Sequence, residues 1–466
     1  MNPSLKRGSP ARSSSSFGLS SAPARSAAPD HFLFAADSDA PLRAPRDSGA
    51  IWLSCCDAAA LSPRAHAAAE RAYARLMSGA GRPLPHWFDD LRRRLLDLFG
   101  VPGAVAVLAG SVSEAEAVFA NLTRAALSLP VRRVAAAAPE RPDDPANDFA
   151  AFPLRDRYGL PREPAEIDAE TVRLAEEAMA QNCAVALQLC DCSESGLAGP
   201  SRAAARVLAE SHPAQVAVLI DARQWIAPQR IAEDLRAGFA VLLSGSRFAS
   251  GPAGAAALLL PPAFADRLGA FDLSAALVAN DAAMNWPRGL RDRLRGEFAA
   301  MADLALGLRW ECALAELEAW FAVAPAVRAE IDAAFAREIR RHLAAAPALR
   351  LVDSGGAPDE ARRMFPILTF DERGRPLKAE ALRRALAEPS ARRSGRAARG
   401  RPVYLGAPLR IGAFQALRLS FGAAHVNDVA ERIGEGRSFA AAFQPLADDL
   451  LEAFGLWSEI AANDCL

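Results

Sequence analysis

The chain has 466 residues, 51% of them hydrophobic and 23% charged, with 54 Lys plus Arg against 55 Asp plus Glu. That length suits two or three domains, or one large domain with a smaller one attached, and can bury a core without covalent staples. A net charge near zero argues against a dedicated nucleic-acid binder, which carries a basic excess, and no run of about 18 apolar residues marks a membrane span.

Residues 1–29 are rich in Ser, Ala and Arg and contain no acid. They lack the apolar segment of a signal peptide and read as a disordered tail, with a transit peptide open on composition alone. Short apolar runs then alternate with helical patterns. The runs at 105–109, 131–138, 184–190, 216–222, 240–246 and 255–261 read as strands. Several are continuously apolar, as strands buried on both faces of a parallel sheet are. The stretches 62–78, 88–98, 113–127, 168–181, 200–211 and 228–238 read as helices, the first opened by Ser62 as N-cap and Pro63 at the first helical position. This rhythm predicts an α/β fold with a mainly parallel sheet.

Beyond about residue 290 the pattern changes. A long helix is expected over 291–322 and a second over 326–345. Strand-like pieces follow at 349–352, 365–370, 402–406 and 416–421, and helices at 426–434 and 437–455. The expected division is a tail (1–29), a large α/β domain (30–290), and a connecting helix with a smaller C-terminal α+β domain (291–466). The Arg-, Gly- and Ser-rich segment 389–402 has no interleaved aromatic residue. It reads as a loop and not as a nucleic-acid site, where bases usually stack on aromatic rings.

The seven Cys are odd in number and form no C-x-x-C pair. Reduced thiols in a cytoplasmic protein are therefore expected. Cys190 and Cys192 flank Asp191, but no matching pair follows at zinc spacing, so no metal is expected.

Three loops follow predicted strands, and ligands of open parallel sheets bind outside the carboxyl ends of strands. Gly110-Ser111-Val112-Ser113-Glu114 puts two hydroxyls at a helix N-terminus, which suits an anion or a plain N-cap. Asp221-Ala222-Arg223-Gln224 puts an acid at a strand end, where it can pair with a protonated heterocycle or cap the next turn. Ser244 to Pro252 is dense in Ser and Gly around a single cation, Arg247, and serves equally well as a polar loop.

In this order the loops resemble those of the fold-type-I pyridoxal-phosphate-dependent transferases, most of all the class V aminotransferase and cysteine desulfurase group. Ser111 and Ser113 match that family's S-G-T phosphate loop, with Val112 in place of Gly. Asp221 and Gln224 match its D-A-A-Q/H, and Ser244, Ser246 and Arg247 stand at the Ser, His and Lys of its S-x-H-K. Asp191 to Leu197, with Ser193, resembles the loop beside the cofactor ring. The stretch ALRLSFGAAHVNDVAERI resembles the one that carries the carboxylate-binding arginine, here Arg418. The likeness runs from about residue 50 to 436. It implies cofactor binding by Ser111, Ser113, Ser193, Asp221, Gln224, Ser244 and Ser246, and substrate binding by Arg418, whose planar fork suits a carboxylate.

The family's catalytic lysine is replaced by Arg247. A lysine amine forms the Schiff base because burial readily lowers its pKa; a guanidinium stays protonated and is a poor nucleophile. The chain holds two lysines, Lys6 in the tail and Lys378 at the start of a predicted surface helix, against 52 Arg. Ordinary lysine-dependent activity is not expected, and desulfurase chemistry also lacks a Cys between 313 and 464. The expectation is a degenerate binding or regulatory protein, or the non-catalytic subunit of a dimer, as a homodimer or with a lysine-bearing paralogue. The alternative is an active enzyme that uses pyridoxal or pyridoxamine phosphate non-covalently on an amino-acid-like substrate. Its histidines of interest are His86, His212 and His425. Neither nucleic acid nor membrane is an expected partner.

Overall fold

The structure is a computed structural model. It describes residues 49–55, 61–79, 81–138, 140, 149–224, 226–355, 363–388 and 400–462. The expected tail, Lys6, Cys56, Cys465 and most of the Arg-rich loop lie outside the described residues.

Strand β1 (Ile51–Trp52) is followed by helix α1 (Pro63–Met77). The Ser62 hydroxyl caps α1 by accepting from the Ala65 N–H at 3.0 Å, with Pro63 next. Ala65, Ala68, Ala69 and Ala72 fall on one face at helical spacing and are buried. After α2 (Leu84–Asp97) come β2 (Val105–Ala109), α3 (Val112–Leu127), β3 (Val131–Ala136), β4 (Phe149–Phe152), α4 (Pro164–Ala180), β5 (Ala184–Cys190), α5 (Arg202–Ser211), β6 (Val216–Asp221), α6 (Pro228–Arg236), β7 (Ala240–Ser244) and β8 (Ala256–Leu260).

These strands, β1 aside, form one seven-stranded sheet in the order β2-β8-β7-β6-β5-β3-β4. Only β8 runs against its neighbours; the pairs from β7 to β4 are parallel. Strands β5 to β8 are buried along their whole length, which is why their sequences are continuous apolar runs. Edge strand β4 was not expected: four half-buried residues are too few to carry a pattern.

The register places the site. Cys190 lies opposite Asp221, and Asp221 opposite Leu242. The loops leaving β5, β6 and β7 therefore emerge side by side. Ala109 and Ser244 both pair with Ala256, so the end of β2 lies two strands from the end of β7 on the same sheet edge.

Next come α7 (Pro262–Arg267), α8 (Ala275–Asn280), α9 (Arg288–Arg291) and α10 (Leu304–Ala322). The helix expected from residue 291 thus begins only at Leu304. Asp303 caps it by accepting from the Leu306 N–H at 3.0 Å. Beyond the short-range bonds of Asp292, Arg293 and Leu294, the stretch 292–303 bonds to tertiary partners: Arg295 N–H donates to the Phe271 carbonyl, and the Ala300 and Met301 carbonyls accept from Ala283 and Met284. Gly296, at φ +124°, is also outside helical geometry. Helix α10 is buried on nearly every side, including its charged residues Arg309, Glu311 and Glu316.

The chain continues through α11 (Pro325–Ala345), β9 (Leu349–Leu351), β10 (Met364–Thr369), α12 (Ala379–Ala387), β11 (Val403–Tyr404), β12 (Gly406–Ile411), β13 (Phe414–Ser420), α13 (Ala423–Gly434) and α14 (Phe439–Ala462). Strands β12-β13-β10-β9 form an antiparallel sheet. The run expected as one strand at 402–406 is divided. Its first part pairs in parallel with β1, with the Trp52 and Tyr404 rings stacked at 4.1 Å, and a new strand starts at Gly406. The last helix runs on to Ala462 through Pro445. Among the described residues no helix is long and apolar enough to cross a membrane.

Candidate functional site

Asp221 ends β6 and is 1% exposed. Two residues on, the chain turns Arg223 back onto it. Arg223 Nε lies 2.9 Å from both carboxylate oxygens and Nη2 2.6 Å from Oδ2. Gln188 of β5 donates to Asp221 Oδ2 at 3.0 Å and to Glu116 Oε1 at 2.8 Å. Arg223 Nη2 also reaches Glu116 Oε1 at 3.2 Å, and Arg133 donates to Glu116 Oε2 at 2.9 Å. Burial pulls the Arg223 pKa down, but the Asp221 and Glu116 carboxylates outweigh it and hold the guanidinium above its ordinary range. The result is a buried ionic network whose members satisfy one another.

A second cluster lies on the neighbouring loops. The loop after β5 is closed by Ser193 N–H to the Leu197 carbonyl at 2.7 Å and Cys190 N–H to the Gly199 carbonyl at 2.9 Å. It is held from behind by Glu140, which accepts from Ser193 Oγ at 2.5 Å and Ser195 Oγ at 2.7 Å. Arg155 joins Glu140 at 3.2 Å and Ser195 Oγ at 2.9 Å. Fixed in this way, the loop presents Glu194, 1% exposed, to three donors. Gln224 Nε2 donates to Glu194 Oε1 at 2.7 Å, Arg247 Nη1 lies 3.3 Å from the same oxygen, and Arg418 Nη1 pairs with Oε2.

Arg247 sits in the turn after β7. That turn is closed by Ser250 N–H to the Arg247 carbonyl at 2.9 Å and Gly251 N–H to the Gly245 carbonyl at 2.8 Å. A Cβ on Gly251 would lie 2.6 Å from the Gly245 carbonyl oxygen, so no larger residue fits. Arg418 comes from the other sheet, in mid-β13 between Pro366 of β10 and Gly406 of β12. Its Nε donates to the Ala407 carbonyl at 2.8 Å, which fixes the fork's direction.

The remaining candidates have other partners. Ser244 and Ser246 join hydroxyls at 3.1 Å. Ser193 serves Glu140. Ser111 caps α3 by accepting from Glu114 N–H at 3.0 Å, and Ser113 lies in that helix's first turn. Glu114 folds back to accept from Gly110 N–H at 2.8 Å, completing a reciprocal cap. Burial, with Asp281 and Asp303 nearby, raises the Glu114 pKa to about 7. Lys378 is exposed at the N-cap of α12. His86 is exposed and His212 ends α5. His425 is occupied structurally, with Nδ1 accepting from Gly422 N–H at 3.3 Å and Nε2 2.8 Å from the Trp52 carbonyl.

Gln224, Arg247 and Arg418 thus meet around one carboxylate, while Asp221 belongs to the adjoining network. The sequence reading assigned no role to Glu194, Arg223, Glu116, Gln188, Glu140 or Arg155. Arg223 did carry a signal, because it stands where the resembled motif has a small neutral Ala.

No protein-family model matches the sequence, and neither does any curated protein. Solved structures do match. The cysteine desulfurase of Thermococcus onnurineus NA1 superposes with a TM-score of 0.57 at 12% identity, over 88% of this chain and 94% of that one. The cysteine desulfurase CsdA of Escherichia coli gives 0.54 at 14%, over 89% and 96%. A NifS-like protein of Rickettsia africae gives 0.54 at 12%, over 88% and 99%. Likeness at such identities speaks for architecture and not for activity. The chain has the fold-type-I pyridoxal-phosphate transferase fold, the one these desulfurases share with class V aminotransferases.

Proposed function

We propose that this chain is a non-catalytic protein on a transferase fold, working as a binding or regulatory protein or as the silent subunit of a dimer. The observation that carries the reading is Arg247. At the position where the resembled family needs an amine stands a guanidinium engaged with Glu194 beside Arg418. Such a group neither forms a Schiff base nor takes up a proton near neutral pH.

The residues present do not fit pyridoxal phosphate. The carboxylate that would face the ring nitrogen is held on both oxygens by Arg223. The Gly110 N–H, in the loop before α3, is occupied by Glu114. The arginine that would receive a ligand carboxylate already has an internal one.

The test is spectroscopic. Pyridoxal phosphate added to the purified chain should give no absorbance band that borohydride fixes. Arg247→Lys alone should give none either, because Arg223 and Glu194 stay in place. A reducible band in the wild type would overturn the proposal. Saturable binding that borohydride does not fix would favour the alternative, an enzyme holding the cofactor non-covalently. Sedimentation, alone and with a lysine-bearing paralogue, tests the dimer.

A further inference from the structure

We infer that Glu194 is a built-in ligand: its carboxylate fills a carboxylate-recognition site made by Arg247, Arg418 and Gln224, and the site will take a free acetate-sized carboxylate once that side chain is removed. The inference rests on the non-catalytic reading and deepens it, since it states what the altered pocket recognises.

Three donors from three elements converge on the two oxygens of one carboxylate. Gln224 and Arg247 share Oε1, and Arg418 takes Oε2. Guanidinium and amide donors arranged around a carboxylate form a recognition site for that group. Two of the donors come from elements anchored apart from Glu194. The backbone of Arg247 is set by its closed turn, and the Arg418 fork by its Nε bond to the Ala407 carbonyl. Their chemistry does not depend on whether the carboxylate is tethered to the chain.

The tether decides who wins. Glu140 and Arg155 pin the loop on its far side through Ser193 and Ser195, so the Glu194 carboxylate is presented intramolecularly. A group held in place has an effective concentration of at least the millimolar order, against which a dilute external carboxylate competes poorly. The native chain is therefore closed to amino and keto acids at this point, and Glu194 is what closes it.

Glu194→Ala removes a CH2–COO unit, the size of acetate, and tests this directly. The full-length variant should melt below the wild type. Sodium acetate, balanced against chloride at constant ionic strength, should restore most of the lost melting temperature saturably. The wild type should not respond. Glu194→Gln keeps the volume and loses the charge, so it should be destabilised without rescue. If Glu194→Ala fails to fold, Glu194→Ser, which leaves similar room, should show the same rescue. A wild type stabilised saturably by acetate overturns the inference, as does an alanine variant that acetate leaves unchanged or a glutamine variant rescued equally well. The two proposals fail separately. A reducible cofactor band in the wild type overturns the non-catalytic reading, whereas absence of acetate rescue overturns only the built-in ligand.

Discussion

Arg223→Met should be among the most destabilising single changes in this chain. It removes the cation that lies on both oxygens of Asp221 and on Glu116, two carboxylates that are 1% and 3% exposed. Methionine fills much of the volume, so the loss is chiefly electrostatic. Breaking a buried pair by removing one partner costs about 3–5 kcal/mol, because a desolvated charge is left behind. Arg133 and Gln188 still serve Glu116, which places the expectation near the lower end, about 3 kcal/mol. Thermal unfolding followed by tryptophan fluorescence should show this as a fall of roughly 3 °C for a chain of this length. Asp221→Asn combined with Arg223→Met should cost less than the two single changes together, with a coupling of at least about 1 kcal/mol. The deficit also has a pH signature. In the variant the folded-state pKa of the buried carboxyl is raised above its unfolded value, so the native state binds the extra proton and stability falls as pH rises. The gap to the wild type should be widest near pH 8 and narrow toward pH 5. A loss below about 1 kcal/mol, a gap independent of pH, or additive single changes would refute the view that Arg223 neutralises this network.

Glu114 gives a second pH test. Its folded pKa of about 7, against 4.5 when unperturbed, means that the native state binds more protons between those values, so wild-type stability should fall as pH rises through that window. Linkage sets a ceiling of about 3 kcal/mol, and partial exposure reduces it to roughly 1–2 kcal/mol. Glu114→Gln should flatten the profile in denaturant titrations at pH 5 and 8, and equal slopes for both proteins would reject the assignment. Gly307→Ala should destabilise although alanine is the better helix former. A Cβ at 307 would overlap the Trp87 ring, whose Nε1 is anchored to Glu311 Oε1 at 2.7 Å. Propensity gains about 1 kcal/mol and overpacking costs about 1–3 kcal/mol. An unchanged or higher melting temperature would show that Trp87 moves freely.

The central sheet was legible because buried strands announce themselves as apolar runs: β2, β5 and β6 fall within a residue of their sequence limits. The order of motifs along the chain singled out Arg247, and the structure shows its guanidinium beside Glu194. Short or non-local pieces escaped. Four-residue β4 carries too little pattern, β1 finds its partner some 350 residues away in β11, and Arg295, Ala299, Ala300 and Met301 take hydrogen-bond partners from the 271–284 segment instead of a helix.

Sequence alone therefore determined the α/β class and the scarcity of lysine, two residues against 52 Arg. Tertiary structure alone decided how the charged groups pair. Glu194, Arg247 and Arg418 are separated by more than 50 and then 170 positions, and they meet only because β5, β7 and β13 bring their loops and side chains to one point. Local pattern records burial and backbone preference. The partner of a buried charge is set by which elements pack together, and burial then makes leaving that charge unpaired costly.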